Sequence, residues 1–250
     1  MVFFERAKNV LHQTMKRMLI YVLRTRNNTI YGHDPFLDIV RLSRAMNYTD
    51  STIIDVGANS GQTTLRFVRE FPTSKIYSFE PHPGTFAKLQ QNVRKHNNVI
   101  PINAALGRTN GVTDLYVYEN SALNSVLADS PFISRFGVPG TCISVNLTCL
   151  DDFCSSNGIK SLHVLKIDTE GFDIEVLKGA TRLMDRGKIK FIYIEFNDLF
   201  EIPNATGGSL IAIGEFLKNW GYRFVASYTD YVEPVGKFFI SCNALFILAP

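Results

Sequence analysis

The 250 residues, 28.2 kDa, suffice for one large domain, and 46% hydrophobic with 12% aromatic residues supply a buried core. Disordered, collagen-like and disulfide-dependent miniprotein architectures are thereby excluded. The net charge is only +3, and Arg6, Lys8, Lys16, Arg17, Arg24 and Arg26 against Glu5 put +5 into the first 26 residues, so the remainder is slightly acidic and unsuited to nucleic-acid binding.

From Phe3 to Leu23, Ala7, Val10, Leu11, Met15, Met18, Leu19 and Val22 share one helical face, with Arg6, Lys16, Arg17 and Arg24 on the other. Such a helix suits either packing as a lid or peripheral contact with an anionic membrane through residues 3–24. Its longest apolar run, Met18 to Leu23, is too short for an export signal or a span. Asp34 and Pro35 then open a second helix to about Tyr48. Residues 1–50 therefore read as a helical extension and 51–250 as the main domain. Cys142, Cys149, Cys154 and Cys242 form no CxxC pair, which argues against structural zinc and disulfides and for a cytoplasmic location.

After Thr52, short apolar runs alternate with helical periodicity, the signature of an α/β fold with a doubly wound, mostly parallel sheet. Strands are expected at Thr52–Val56, Lys75–Glu80, Val99–Leu106, Leu162–Asp168 and Lys190–Phe196. Helices are expected at Gly61–Phe71, Pro83–Asn97, Asp151–Gly158, Asp173–Asp185 and Ser209–Trp220. Thr113–Asn120 and Cys142–Leu150 read as flanking strands, and Tyr222–Ser227 and Phe238–Leu248 as two last apolar runs.

Ligands of open parallel sheets sit at the carboxyl ends of the strands. There Gly57 and Gly61 allow a tight turn and close approach to a ligand, but their spacing is neither that of a dinucleotide site nor of a phosphate loop. Glu80 ends the second strand about twenty residues on, where a carboxylate accepts both ribose hydroxyls of an adenosine cofactor; otherwise it is an exposed charge beside Pro81. Asn103 and Ala104, leaving the third strand, either border an adenine edge or start a turn.

Five blocks together resemble the FkbM-family S-adenosylmethionine-dependent methyltransferases. They are Asp55-Val-Gly-Ala-Asn-Ser-Gly61, Phe79-Glu80-Pro81, Asn103-Ala-Ala-Leu-Gly107, Leu150-Asp-Asp-Phe153, and Lys166-Ile-Asp168-Thr-Glu170-Gly171 followed by Val176-Leu-Lys-Gly-Ala180. The resemblance implies a Rossmann-like class I methyltransferase fold over 51–250, S-adenosyl-L-methionine as cofactor, and O-methylation of a small-molecule or glycan hydroxyl on a saccharide or secondary metabolite. It implies that Gly57, Asn59 and Gly61 frame the methionine end of the cofactor, that Glu80 holds its ribose, and that Asp55 belongs to the same cofactor-binding set. One departure is Phe172-Asp173, where the family often carries His and Glu, so no role of that His transfers.

Methyl transfer needs an aligned hydroxyl and a group to take its proton. Lys166, Asp168 and Glu170 leave the fourth core strand, and Glu195 and Asn197 end the fifth, so the two clusters are expected to face each other over the reacting end. Asp168 is the first candidate for general base and Glu195 the second. The competing reading is a buried polar network in which Lys166 neutralises Asp168. A Mg²⁺-dependent mechanism is an alternative, but the spacing is not that of catechol-type methyltransferases, so no residue is assigned to a metal. A further alternative is a catalytically silent cofactor-binding module docking a membrane or protein partner. The loop Glu119–Ser125 and the stretch on to Gly140 are candidates for the acceptor pocket.

Overall fold

The computed structural model describes residues 31–49, 51–127, 140–196, 208–233 and 239–249. The helix expected over residues 3–23, the membrane-contact segment 3–24 and Asn197 fall outside them. Contacts divide the chain into two compact units, Met1–His33 and Asp34–Pro250; the second carries the fold. No helix among the described residues is long and apolar enough to cross a membrane.

Helix α1 (Pro35–Ala45) begins where Asp34 Oδ1 accepts the Phe36 and Leu37 N–H groups, at 3.1 and 3.3 Å. Its Ile39 is fully buried. Tyr228 donates to Asp38 at 2.8 Å, and Ser43 meets His163 at 2.9 Å. The unit boundary thus falls after His33 rather than at residue 50, because α1 packs on the sheet.

The sheet contains β1 (Thr52–Val56), β2 (Lys75–Phe79), β3 (Val99–Ile102), β7 (Leu162–Ile167), β8 (Ile189–Phe196), β9 (Tyr222–Glu233) and β10 (Phe239–Leu248), in the order β3-β2-β1-β7-β8-β10-β9. The first five run parallel, and β10 lies antiparallel between β8 and β9. Side chains alternate across the pleat. Ile53, Ile76, Val164 and Phe191 pack against α1, α2 (Gln62–Glu70) and α3 (Pro83–Val93). Ile54, Tyr77, Leu165 and Ile192 pack on the other face with α4 (Leu150–Ser156), α5 (Asp173–Lys178), α6 (Thr181–Asp185) and α7 (Leu210–Lys218). This is a doubly wound, Rossmann-like α/β fold. Each buried Ile or Leu contributes about 1.5–3 kcal/mol of gross burial energy.

Three elements differ from the sequence expectation. The run Val99–Leu106 is two strands: the chain stops pairing with β2 after Ile102, turns at Asn103-Ala104, and forms β4 (Ala105–Gly107) in a second sheet, β4-β6-β5, with β5 (Gly111–Val117) and β6 (Thr141–Cys149). The expected helix Asp173–Asp185 breaks at Gly179. A Cβ there would lie 2.1 Å from the Gly107 carbonyl oxygen, so the backbones touch and only glycine fits. The Gly179 carbonyl accepts the Asp151 N–H at 2.8 Å. In return the Asp151 carboxylate accepts the Arg182 and Leu183 N–H groups at 2.8 and 3.0 Å, starting α6 as a separate helix. The expected run Tyr222–Ser227 continues as β9 to Glu233 and pairs with β10 as a hairpin arm.

Candidate active site

The strand order reverses direction around β1 and β7, and the crevice at their carboxyl ends is the standard ligand position of such sheets. Gly57, at φ +71°, has the Asp168 carbonyl oxygen only 1.8 Å from where a Cβ would stand. The close approach of the β1 and β7 exits therefore demands glycine. The turn is pinned by Gly57 and Ala58 N–H groups donating to the Phe79 carbonyl, at 3.1 and 2.9 Å, and by Asp168 N–H donating to Val56 at 3.2 Å. Gly61, at φ +98°, admits α2 beside Leu89.

Glu80 is 6% exposed. Its Oε2 accepts the Asn59 N–H and its Oε1 the His82 N–H, both at 3.0 Å. It is therefore a buried, oriented acceptor, not an exposed charge beside a proline. Burial pushes its pKa up to about 7, against the pull of those two N–H groups. Each carboxylate oxygen keeps a further lone pair for a ligand hydroxyl.

A line of polar groups supports this turn from beneath. Asp55 is fully buried; Thr64 donates to it at 2.6 Å and meets Ser78 at 2.9 Å. Lys166 lies 3.4 Å from Asp55 and 3.1 Å from Asp168, and donates to the Val56 and Gly57 carbonyls at 3.3 and 3.2 Å. Burial opposes the ammonium charge, yet Asp168 and Asp55 outweigh it and raise the Lys166 pKa above its ordinary value. Lys166 thus holds the β1 and β7 exits together, as the polar-network reading expects. Removing Asp55 from its fully buried pair with Lys166 costs about 3–5 kcal/mol. Asn103 donates to the Glu80 and Pro81 carbonyls at 2.8 and 2.9 Å, fixing the loop that carries Glu80.

Beyond Asp168 the chain turns sharply, with Glu170 at φ +54° and Gly171 at φ +101°. Asp173 secures this turn by accepting the Thr169 and Gly171 N–H groups, both at 3.2 Å, and burial raises its pKa to about 6. Asp168, its side chain 35% exposed, and Glu170 both line one cleft, together with Gly57, Asn59, Glu80 and Ala104. Asp55, Gly61 and Lys166 are buried behind that wall, and Asn103, exposed, does not line the cleft either. Glu195 is buried, and its Oε1 accepts from Ser241 at 3.0 Å. Asp168, Glu170 and Glu195 converge, each offering an oxygen within 4.8 Å of the others. Burial and then the neighbouring acids push the Glu170 and Glu195 pKa values well above the carboxylate range.

Leu115, which the sequence alone does not single out, and Phe172, noted there only as a departure from the family pattern, complete the cleft wall beside Ser121, Ala122, Asn124 and Val126 of the anticipated pocket stretch. Ser241 and Asn243 at the back of Glu195 are equally silent in the sequence, because only the β8–β10 register reveals them.

A nucleoside cofactor with a charged tail fits these residues: Val56, Phe79, Ala104 and Leu106 are apolar walls, Glu80 a fixed acceptor, and the Gly57 turn leaves its backbone open to the cleft. The chain is similar to known methyltransferases. The "2-O-methyltransferase NoeI" of Sinorhizobium fredii is 28% identical over 161 residues, covering 60% of this chain and 64% of that protein. The "Hexuronic acid methyltransferase AglP" of Haloferax volcanii is 26% identical over 161 residues, covering 64% and 62%. The "31-O-demethyl-FK506 methyltransferase FkbM" of Streptomyces tacrolimicus is 25% identical over 198 residues, covering 70% and 73%. The chain spans less than two thirds of the length of the first two relatives. The Methyltransferase FkbM domain model matches residues 55–224, a stretch that contains the glycine turn, Glu80, the Lys166–Asp168 pair and Glu195, and on that match this chain belongs to the FkbM methyltransferase family.

Proposed function

We propose that the chain is an S-adenosylmethionine-dependent O-methyltransferase acting on a hydroxyl of a saccharide or secondary metabolite. The observation that carries this reading is one cleft lined both by Glu80, oriented by two backbone N–H groups, and by Asp168, held by a buried lysine. Glu80 takes the ribose hydroxyls, the Gly57–Asn59 turn takes the methionine end, and Ala104 borders the adenine. The cofactor, when bound, supplies an electrophilic methyl group on a positively charged sulfur. Asp168 accepts the proton of the acceptor hydroxyl, and Lys166, 3.1 Å away, holds that carboxylate in position. Glu195 lies too deep to be the first proton acceptor and acts through the acidic cluster.

The acceptor class is supported by the relatives, whose names give a hexuronic acid and 31-O-demethyl-FK506 as what they methylate. The test is transfer of isotopically labelled methyl from S-adenosylmethionine to a panel of hydroxylated sugars, uronic acids and polyhydroxylated metabolites, read by mass spectrometry. The expected outcome is a product heavier by one methyl on oxygen. Methylation of nitrogen or carbon alone would contradict the reading.

A further inference from the structure

Lys166 is already committed to Asp55, Asp168 and two carbonyls. Among the described residues no Lys or Arg pairs with Glu170 or Glu195. Two carboxyls thus meet Asp168 at short range with no positive charge of their own. Glu195 is 5% exposed, and while Ser241 serves its Oε1, its Oε2 is buried with no hydrogen-bond partner among the described residues. A buried acceptor left without a donor is costly unless something else occupies its lone pairs.

The neighbouring strand repeats the pattern. Asn243, 3% exposed, stands opposite Glu195 in the β8–β10 pair. Its Nδ2 donates to Asp230, and its Oδ1 is likewise without a partner among the described residues. Directly opposed residues share a face, with Cβ atoms about 4.5–5.5 Å apart. The unmet atoms here are therefore all oxygens, and among the described residues no thiol or imidazole joins the cluster. Oxygen-only sets of this kind are the ligands of hard divalent cations. Three oxygens all within 4.8 Å of one another lie inside the span of about 4.6–5.2 Å that two opposed ligands of one calcium ion set.

We propose that Asp168, Glu170 and Glu195, backed by Asn243, bind a divalent metal cation that holds the acceptor through two adjacent oxygens. Three protein ligands leave coordination positions open toward the cleft, which Asp168 and Glu170 also line. A vicinal diol or an α-hydroxy acid fills two of them, whereas an isolated hydroxyl fills one and is held less firmly. The cation also makes the bound hydroxyl more acidic, so that its proton passes more readily to Asp168 or to water. The acceptor role rests on the methyl-transfer reading; the cation site itself does not.

The test is direct titration of the chelator-treated full chain with Mn²⁺, followed by paramagnetic resonance of the free ion, with Mg²⁺ and Ca²⁺ as competitors. One saturable site per chain is expected, weakened at least tenfold by Glu195→Gln and by Glu170→Gln. S-Adenosylhomocysteine affinity, measured in parallel, should change by less than about threefold in each variant, which also reports an intact fold. Absence of saturable Mn²⁺ binding, or binding unaltered by both substitutions in folded protein, would overturn the proposal. Failure of Mn²⁺ binding with cofactor binding intact removes the cation site alone; failure of cofactor binding with Mn²⁺ binding intact removes the methyl-transfer reading alone.

Discussion

Replacing Asp168 by Asn lowers kcat for methyl transfer by about 10²- to 10⁴-fold, the range for loss of a positioned general base. The amide is the same size and still accepts the Lys166 hydrogen bond, so the β7 exit stays in place and S-adenosylhomocysteine affinity changes by less than about threefold. What disappears is the negative charge that receives the hydroxyl proton. Single-turnover transfer of labelled methyl to an acceptor from the panel gives the rate without the complication of product release. A kcat within about fivefold of the parent would reduce Asp168 to a partner of Lys166. Because Asp168 is also a proposed cation ligand, Mn²⁺ affinity is measured on the same variant. An unchanged affinity with a collapsed rate isolates the proton-accepting role.

Glu80→Gln weakens S-adenosylhomocysteine binding by about ten- to a hundredfold, because a hydrogen bond to a charged acceptor is worth about 1.5–3 kcal/mol. The pH dependence carries a sharper signature. With its pKa raised to about 7 in the ligand-free protein, Glu80 is mostly protonated at pH 6 and mostly ionised at pH 8. Ribose hydroxyls donate best to the ionised form, so binding lowers that pKa. Affinity therefore rises about tenfold from pH 6 to pH 8 and levels off above that, whereas the Glu80→Gln variant shows no such rise. The same group affects stability with the opposite sense. Its folded pKa lies above the ordinary value of 4.5, so its contribution to stability is fully present below about 4.5 and is lost as the pH rises through about 7. Calorimetric titrations at three pH values check the slope, and a flat profile in the parent protein would remove Glu80 from the ribose site.

The fold is legible in the sequence wherever a short apolar run has a single environment. Ile53-Ile54 and Val164-Leu165 lie between two helical layers, and their uninterrupted hydrophobicity marks central parallel strands. Legibility fails where tertiary contact overrides local pattern. Nothing in the run Val99–Leu106 announces that its last residues pair with β6 instead of β2. Nothing in Asp173–Asp185 announces that Gly179 must sit against Gly107. The site divides in the same way. Glu80, Asp168 and the glycine turn are legible because strand ends of such sheets carry the ligand. Asp55, Asn103 and Lys166 read as contact residues or acids and bases, but the burial of Asp55 and Lys166 and the backbone partners of Asn103 make them supports of the turn. Asn243 and Ser241 lie in a strand that reads only as apolar, and they reach Glu195 through a cross-strand register that one sequence does not encode locally.

The central claim is that the cleft between Gly57, Glu80 and Asp168 binds an S-adenosylmethionine-type cofactor. Calorimetric titration of the purified full chain with S-adenosylhomocysteine tests it most directly, without knowledge of the acceptor. The account expects one saturable site per chain, competed by S-adenosylmethionine. A folded protein that takes up neither compound at millimolar concentration would contradict it.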